Sequence, residues 1–222
     1  MRQMLIRKAI LQRVFDLLYT RFAWAYDTVS RVVSFGRWQS WGKAALPYLA
    51  GSRVLELGHG PGHLLVTLES GGWISTGIDP SPQMGRQARR RMLERGLSAR
   101  LARGRAPALP FASRSFDCVV ATFPAPYIVD PETARAIHRI LRPGGRLIIV
   151  PEAELTGADP ASHLLEWLFR ITGQRSPAAQ NRDAPPGIWE KAFAPAGFAV
   201  AVHRVPQPGS TVTVVIADRR NE

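Results

Sequence analysis

Apolar residues at helical spacing open the chain. Ile6, Ile10, Val14, Leu17 and Leu18 fall on one stripe that Phe22, Tyr26, Val29 and Val33 continue, so residues 4–34 are predicted to form one or two amphipathic helices. After a break at Gly36 another helix is predicted over Trp38 to Leu49. From Arg53 the period changes. Short apolar runs at 53–57, 73–79, 99–103, 116–123 and 146–150 read as strands, and helical patterns lie between them at 64–70, 81–95 and 131–141. The punctuation agrees with this reading. Ser81 can cap a helix whose first residue is Pro82 and which Gly96 stops, Asp130 caps one that begins with Pro131, and Pro143-Gly144-Gly145 turns into the fifth strand. Strand–helix alternation of this kind implies a parallel, doubly wound α/β sheet.

Residues 151–187 break the rhythm. Asp159-Pro160 opens a helix rich in Leu164, Leu165, Trp167, Leu168 and Phe169, and the Pro- and Gly-containing stretch 174–187 reads as an exposed loop. A helix over 188–194 precedes two apolar runs, 198–205 and 211–217, separated by Pro206-Gln207-Pro208-Gly209, which predict a terminal antiparallel hairpin. The expected architecture is a single domain over 1–222 with a mostly parallel sheet of about seven strands. It comprises an N-terminal helical cap (1–49), a cofactor-binding core (50–150), and a substrate-side insertion with the terminal hairpin (151–222).

Composition narrows the class. The chain is 45% hydrophobic and 21% charged, as in a globular protein, and carries no run of about 18 uncharged apolar residues that would read as a membrane span. The N-terminus mixes Arg2, Arg7, Lys8, Arg13 and Asp16 with its apolar residues and does not read as a signal peptide. A lone cysteine, Cys118, forms neither a disulfide nor a cysteine metal cluster, and no metal site is expected; its apolar setting predicts a buried small hydrophobe and the default location is cytoplasmic. Of the 29 basic residues only Lys8, Lys43 and Lys191 are lysines, and the net charge is +12. A nucleic-acid or anionic-membrane partner competes here with a merely solvated basic surface.

The candidate chemistry sits after the first strand, at Glu56-Leu57-Gly58-His59-Gly60-Pro61-Gly62. Glycines there permit a tight turn and close approach of a ligand, with a helix N-terminus behind them. The spacing is G-x-G-x-G, and His63 stands where the dinucleotide fingerprint requires its third glycine. The second strand ends at Asp79, about twenty residues after Gly58, where doubly wound folds place a carboxylate that accepts ribose hydroxyls. Loop and carboxylate together point to a ribose-bearing ligand other than a dinucleotide.

These segments, with Ala106-Pro107-Ala108-Leu109-Pro110-Phe111, Ser115-Phe116-Asp117-Cys118-Val119-Val120 and Leu141-Arg142-Pro143-Gly144-Gly145, occur in order and resemble the class I S-adenosylmethionine-dependent methyltransferases, in particular the ubiquinone/menaquinone C-methyltransferase branch. Tyr26-Asp27 and Trp38 to Trp41 are similar to that branch's N-terminal cap. The resemblance implies the Rossmann-like methyltransferase fold, S-adenosylmethionine as cofactor and S-adenosylhomocysteine as product. It also implies roles. Glu56 and the loop with Gly58, His59, Gly60 and Gly62 would hold the amino-acid end, Asp79 the ribose, Pro80 and Met84 would flank the adenine, and Tyr26, Ala106 and Phe123 would complete the cofactor site. The family usually has an acidic residue just before Ala106; here Arg105 stands there, and an arginine cannot accept a hydrogen bond.

Substrate contacts are expected from the cap, from the loop 123–127 with Tyr127, and from the helix bearing Trp167, because ligands bind outside the carboxyl ends of the strands. The expected activity is in-line methyl transfer to a small apolar or aromatic molecule. No catalytic residue is assigned, and His138 reads as a packed histidine on the face of Ala134, Ile137 and Leu141. A competing reading is an RNA or nucleic-acid methyltransferase using Arg86, Arg89, Arg90, Arg91, Arg95, Arg100, Arg103 and Arg105. Against it, no aromatics are interleaved for base stacking. A non-catalytic protein of the same fold also fits these motifs, while a nicotinamide oxidoreductase is disfavoured by the loop spacing. The basic N-terminal helix could also lie on an anionic membrane.

Overall fold

The computed structural model describes residues 37–155 and 187–220. The predicted helices over 4–34 and 160–171, with Tyr26 and Trp167, lie outside the described residues, as do the basic positions invoked for membrane contact.

Seven strands form one sheet in the order β3-β2-β1-β4-β5-β7-β6. They are β1 Arg53–Leu57, β2 Ile74–Asp79, β3 Leu101–Arg103, β4 Phe116–Thr122, β5 Leu141–Leu155, β6 Phe198–Gln207 and β7 Ser210–Arg219. The helices are α1 Trp38–Gly42, α2 His63–Ser70, α3 Pro82–Leu93, α4 Pro131–Ile140 and α5 Ile188–Phe193. Strands β1 to β5 pair in parallel, and β7 joins β5 and β6 antiparallel. This is the doubly wound sheet with terminal hairpin that the alternation implies. Among the described residues no helix is long and apolar enough to cross a membrane.

Both faces of the sheet are covered, so the central strands are apolar on both sides. Leu55, Val119, Ala121, Leu147, Ile149 and Val215 face one layer with α4 and α5; Val54, Cys118, Val120, Ile148, Val214 and Ile216 face the other, with α1 and α2. Cys118 is wholly buried there, and burial pushes its thiol up to about 12. Trp41 anchors α1 to this second layer: its ring is buried and its indole N–H donates to Ser210 Oγ at 3.0 Å.

The caps form as the residue types dictate. Ser81 Oγ accepts from the Met84 amide at 3.3 Å, and Asp130 Oδ1 accepts from the Glu132 amide at 2.7 Å. His138 packs edge-on against Phe198, with ring centroids 5.4 Å apart. Other boundaries shift. Pro143-Gly144-Gly145, predicted as a turn, lies inside a strand that begins at Leu141 and continues to Leu155; the Phe116–Leu141 and Cys118–Arg146 pairs bracket a bulge that absorbs the extra residues. Residues 151–155 extend that strand because β7 supplies partners as far as Ser210. The hairpin closes tightly at Pro208-Gly209, Gly209 having φ +66°. The segment predicted as a helix over 38–49 becomes the short α1 followed by a 3₁₀ turn, Lys43–Tyr48, containing Pro47.

Candidate functional site

The order in which strands are added reverses between the parallel neighbours β1 and β4, and their carboxyl ends open a cleft. The glycine loop leaves β1 and Phe123 leaves β4. Across from them stand α1 and the 3₁₀ turn after it. Trp38, Lys43, Glu56, His59, Thr122 and Phe123 are among the residues that line the cleft.

The loop is built by its own amides. Gly58 and His59 donate to the Ile78 carbonyl at 2.8 and 3.3 Å, Gly62 donates to the His59 carbonyl at 2.9 Å, and Gly60 donates to Asp79 Oδ2 at 3.0 Å. Gly58, Gly60 and Gly62 all have positive φ. Gly62 also lets α2 approach α3, since a Cβ there would lie 2.8 Å from Ala88 Cβ. At the N-terminus of α2, which in a dinucleotide site faces the pyrophosphate, the Leu65 amide donates to the Glu56 carboxyl. With the amides of Gly58, His59, Gly60 and Gly62 engaged internally, the loop is a poor phosphate cradle.

Glu56 is 2% exposed, and its Oε2 has no hydrogen-bond partner. Burial, reinforced by the nearby Asp79 charge and opposed by the Leu65 amide, holds its carboxyl well above the usual carboxylate range. His59 is 3% exposed. Desolvation outweighs the attraction of Asp79 and lowers its pKa. Its Nδ1 lies 2.6 Å from the Gly60 carbonyl oxygen, which only accepts, so the proton sits on Nδ1.

Asp79 is half-buried at the end of β2, its Oδ1 accepting from the Ser81 amide at 2.8 Å while Oδ2 holds Gly60. It is thus both a loop tie and a carboxylate with lone pairs to spare. Pro80 and Arg105 are exposed beyond it, and Ala106 is buried at the start of a 3₁₀ turn, Ala106–Ala108. Met84 is 1% exposed and packs inward from α3. Tyr127 lies in a 3₁₀ turn, Pro126–Val129, with its hydroxyl 3.0 Å from where a Cβ on Gly58 would stand. The structure therefore gathers Glu56, the loop, Asp79, Phe123 and Tyr127 around the ends of β1, β2 and β4.

The sequence named Phe123 and Trp38 separately but not the aromatic contact between them. Phe123 adopts φ +48°, uncommon for a non-glycine residue, and its ring packs against Trp38, tilted by 31° with 4.0 Å between centroids. Lys43 was equally hidden, since nothing local distinguishes it from a solvated lysine. The arginine-rich segment is largely occupied with its own backbone and carboxylates. Arg91 donates to the Pro61 carbonyl, Arg103 to the Pro80 carbonyl and Arg95 to the Arg91 carbonyl, while Arg90 pairs with Glu94 and Arg100 with Glu69.

This strand order, with a glycine loop at the topological switch, is that of the Rossmann-like methyltransferase fold. Residues 54–145 match the family model described as a methyltransferase domain. The chain is 34% identical over 139 residues to the demethylmenaquinone methyltransferase of Thermus thermophilus, covering 60% of this chain and 63% of that protein. It is 30% identical over 149 residues to a ubiquinone/menaquinone biosynthesis C-methyltransferase of Geotalea daltonii, covering 63% and 62%. The match thus spans less than two thirds of either relative. Among solved structures, a SAM-dependent methyltransferase of Thermotoga maritima, titled a possible histamine N-methyltransferase, superposes with TM-score 0.62 at 21% identity, covering 92% of this chain and 99% of that one. A geranyl diphosphate methyltransferase in complex with SAM superposes with TM-score 0.61 at 14% identity, covering 82% and 85%.

Proposed function

We propose that this protein transfers a methyl group from S-adenosylmethionine to carbon of a small apolar aromatic acceptor, of the quinone-precursor class that its relatives are named for. The observation that carries the reading is the trio of Glu56, glycine loop and Asp79 at one switch point. A buried carboxyl with an open oxygen, Glu56, and a half-buried carboxylate with lone pairs to spare, Asp79, flank a loop whose amides are already engaged, which suits an amino acid joined to a ribose better than a pyrophosphate.

When bound, S-adenosylmethionine would supply a sulfonium-activated methyl: the acceptor carbon's electron pair would form the new bond as the carbon–sulfur bond breaks, leaving S-adenosylhomocysteine, and the ring proton displaced from that carbon would pass to water. The protein's part is to position the reactants and exclude water. Glu56 and the loop hold the amino-acid end, and Asp79 accepts from the ribose. Arg105 offers the adenine no acceptor, so recognition there falls to backbone near Ala106. Trp38 and Phe123 give the cleft an apolar wall on the acceptor side, with the Tyr127 hydroxyl beside the loop. His59 serves the loop, since its ring is buried and tied to Gly60.

Titration calorimetry should show S-adenosylmethionine and S-adenosylhomocysteine binding, with NAD absent or far weaker. Incubation with labelled S-adenosylmethionine and a reduced demethylated quinone should then move label into the acceptor. Tight NAD binding without the sulfonium ligand would overturn the cofactor; cofactor binding with no transfer to quinols but transfer to RNA would overturn the acceptor class.

A further inference from the structure

The aromatic wall of the cleft is held from the far end of the chain. Trp38 and Phe123 line the cleft, and Trp41, on the next turn of α1, backs both rings with centroids 6.5 and 6.3 Å away. Trp41 is 1% exposed, and its indole N–H donates to Ser210 Oγ at 3.0 Å. Ser210 is itself 2% exposed. As the first residue of β7 it pairs with Leu155 of β5 and Gln207 of β6, so the sheet fixes its position. Two further contacts join the hairpin tip to the α1 segment. Arg37 Nη1 donates to the Gly209 carbonyl and Gln207 Nε2 to the Ser40 carbonyl, each at 3.3 Å. Helix α1 has five residues, far too few to hold a fixed orientation by its own hydrogen bonds. Tertiary contacts of this kind therefore set how Trp38 leans on Phe123.

We propose that Ser210, at the hairpin tip, is a positioning residue for the methyl acceptor. By fixing the Trp41 indole it sets the tilt of Trp38 against Phe123, and with it the shape of the wall on which a flat apolar ring lies. This rests on the acceptor reading above and deepens it, because it makes a residue 169 positions from Trp41 part of acceptor selection. Trp41 and Ser210 both lie outside residues 54–145, the part that matches the family model. The tie also involves neither Glu56, the glycine loop nor Asp79, so cofactor affinity should not depend on it.

The test follows transfer of label from S-adenosylmethionine to a reduced short-chain demethylmenaquinone, with calorimetric titration of S-adenosylhomocysteine alongside. Ser210→Ala leaves the buried indole N–H without its acceptor and should raise the acceptor KM about tenfold. Its kcat should stay within about twofold of wild type and its cofactor affinity should not change, the pattern of lost acceptor binding rather than lost chemistry. Trp41→Phe, which removes the donor and keeps an aromatic ring, should raise the same KM, and adding Ser210→Ala to it should change nothing further. Gln207→Ala cuts an exposed contact and should shift the KM in the same direction by about twofold. The positioning role is overturned, with the acceptor reading intact, if Ser210→Ala keeps the wild-type acceptor KM or weakens acceptor and cofactor by the same factor. Effects of Ser210→Ala and Trp41→Phe that simply add overturn it too. Should Ser210→Ala not fold, a wild-type acceptor KM in both Trp41→Phe and Gln207→Ala overturns it. A wild-type protein that binds S-adenosylhomocysteine but moves no label to the quinol overturns the acceptor reading, and the positioning role falls with it.

Discussion

The imidazole of His59 occupies the space that a side chain on Gly77 would fill. A Cβ added at Gly77 would stand 2.7 Å from His59 Cδ2 and 2.7 Å from Leu65 Cδ1. Gly77 lies opposite Glu56 in the β1–β2 register, so the missing side chain in one strand creates the seat for the loop leaving its neighbour. Gly77→Ala should therefore displace His59 and Leu65, lowering stability by about 1–3 kcal/mol, as overpacking does. It should also loosen the Glu56–Leu65 contact. Denaturant unfolding alongside S-adenosylhomocysteine titration checks both effects, and a variant as stable as wild type would mean that the ring relocates freely.

Glu56 should oppose folding as the pH rises. Because its folded pKa is raised, its contribution favours the folded state below the unfolded value near 4.5 and is lost as pH rises through the folded pKa. Glu56→Gln removes that loss. The ligand-free variant should melt higher than wild type at neutral pH, with the difference vanishing in acid. Matched thermal scans across pH measure this, and a lower Tm for the variant at neutral pH would contradict it.

Asp79→Ala removes the partner of the Gly60 and Ser81 amides together with the proposed ribose acceptor. Each charge-assisted bond is worth about 1.5–3 kcal/mol, so S-adenosylhomocysteine affinity should drop at least tenfold. Asp79→Asn keeps one carbonyl oxygen and should melt closer to wild type while still binding weakly. An unchanged dissociation constant in both variants would leave Asp79 as a loop tie alone.

Asp117 predicts the acid limb of stability. Desolvation pushes its pKa up, but the amides of Arg53 and Ser52 and the Arg142 guanidinium, at 2.7 Å, outweigh it and hold the carboxylate below its usual range. Its contribution is present above the unfolded pKa and is lost as pH falls through the folded one. Asp117→Asn should accordingly lower the Tm at pH 7 and flatten its fall in acid, as calorimetric scans from pH 7 to about pH 3 would record. An acid limb as steep as wild type's would assign the acid sensitivity to other carboxylates.

What the sequence by itself determined was local and periodic. The short apolar runs Val54-Leu55-Glu56-Leu57 and Cys118-Val119-Val120, the Ser81-Pro82 and Asp130-Pro131 caps and the glycine loop each depend on neighbours a few residues away, so strands, helix starts and the Gly58-to-Asp79 pairing could be read directly. What only the tertiary structure decided depends on partners far along the chain. Parallel pairing sets β4 beside β1 with β2 and β3 intervening in sequence, and that placement brings Phe123 onto Trp38 and Lys43 to the cleft of Glu56. The extension of β5 to Leu155 likewise needs β7 as its ladder partner, because a strand continues only where another backbone satisfies its amides and carbonyls. Asp79 shows both levels in one residue. Its position after β2 was legible, but the engagement of its two oxygens by Gly60 and Ser81 followed only once the loop had folded against it.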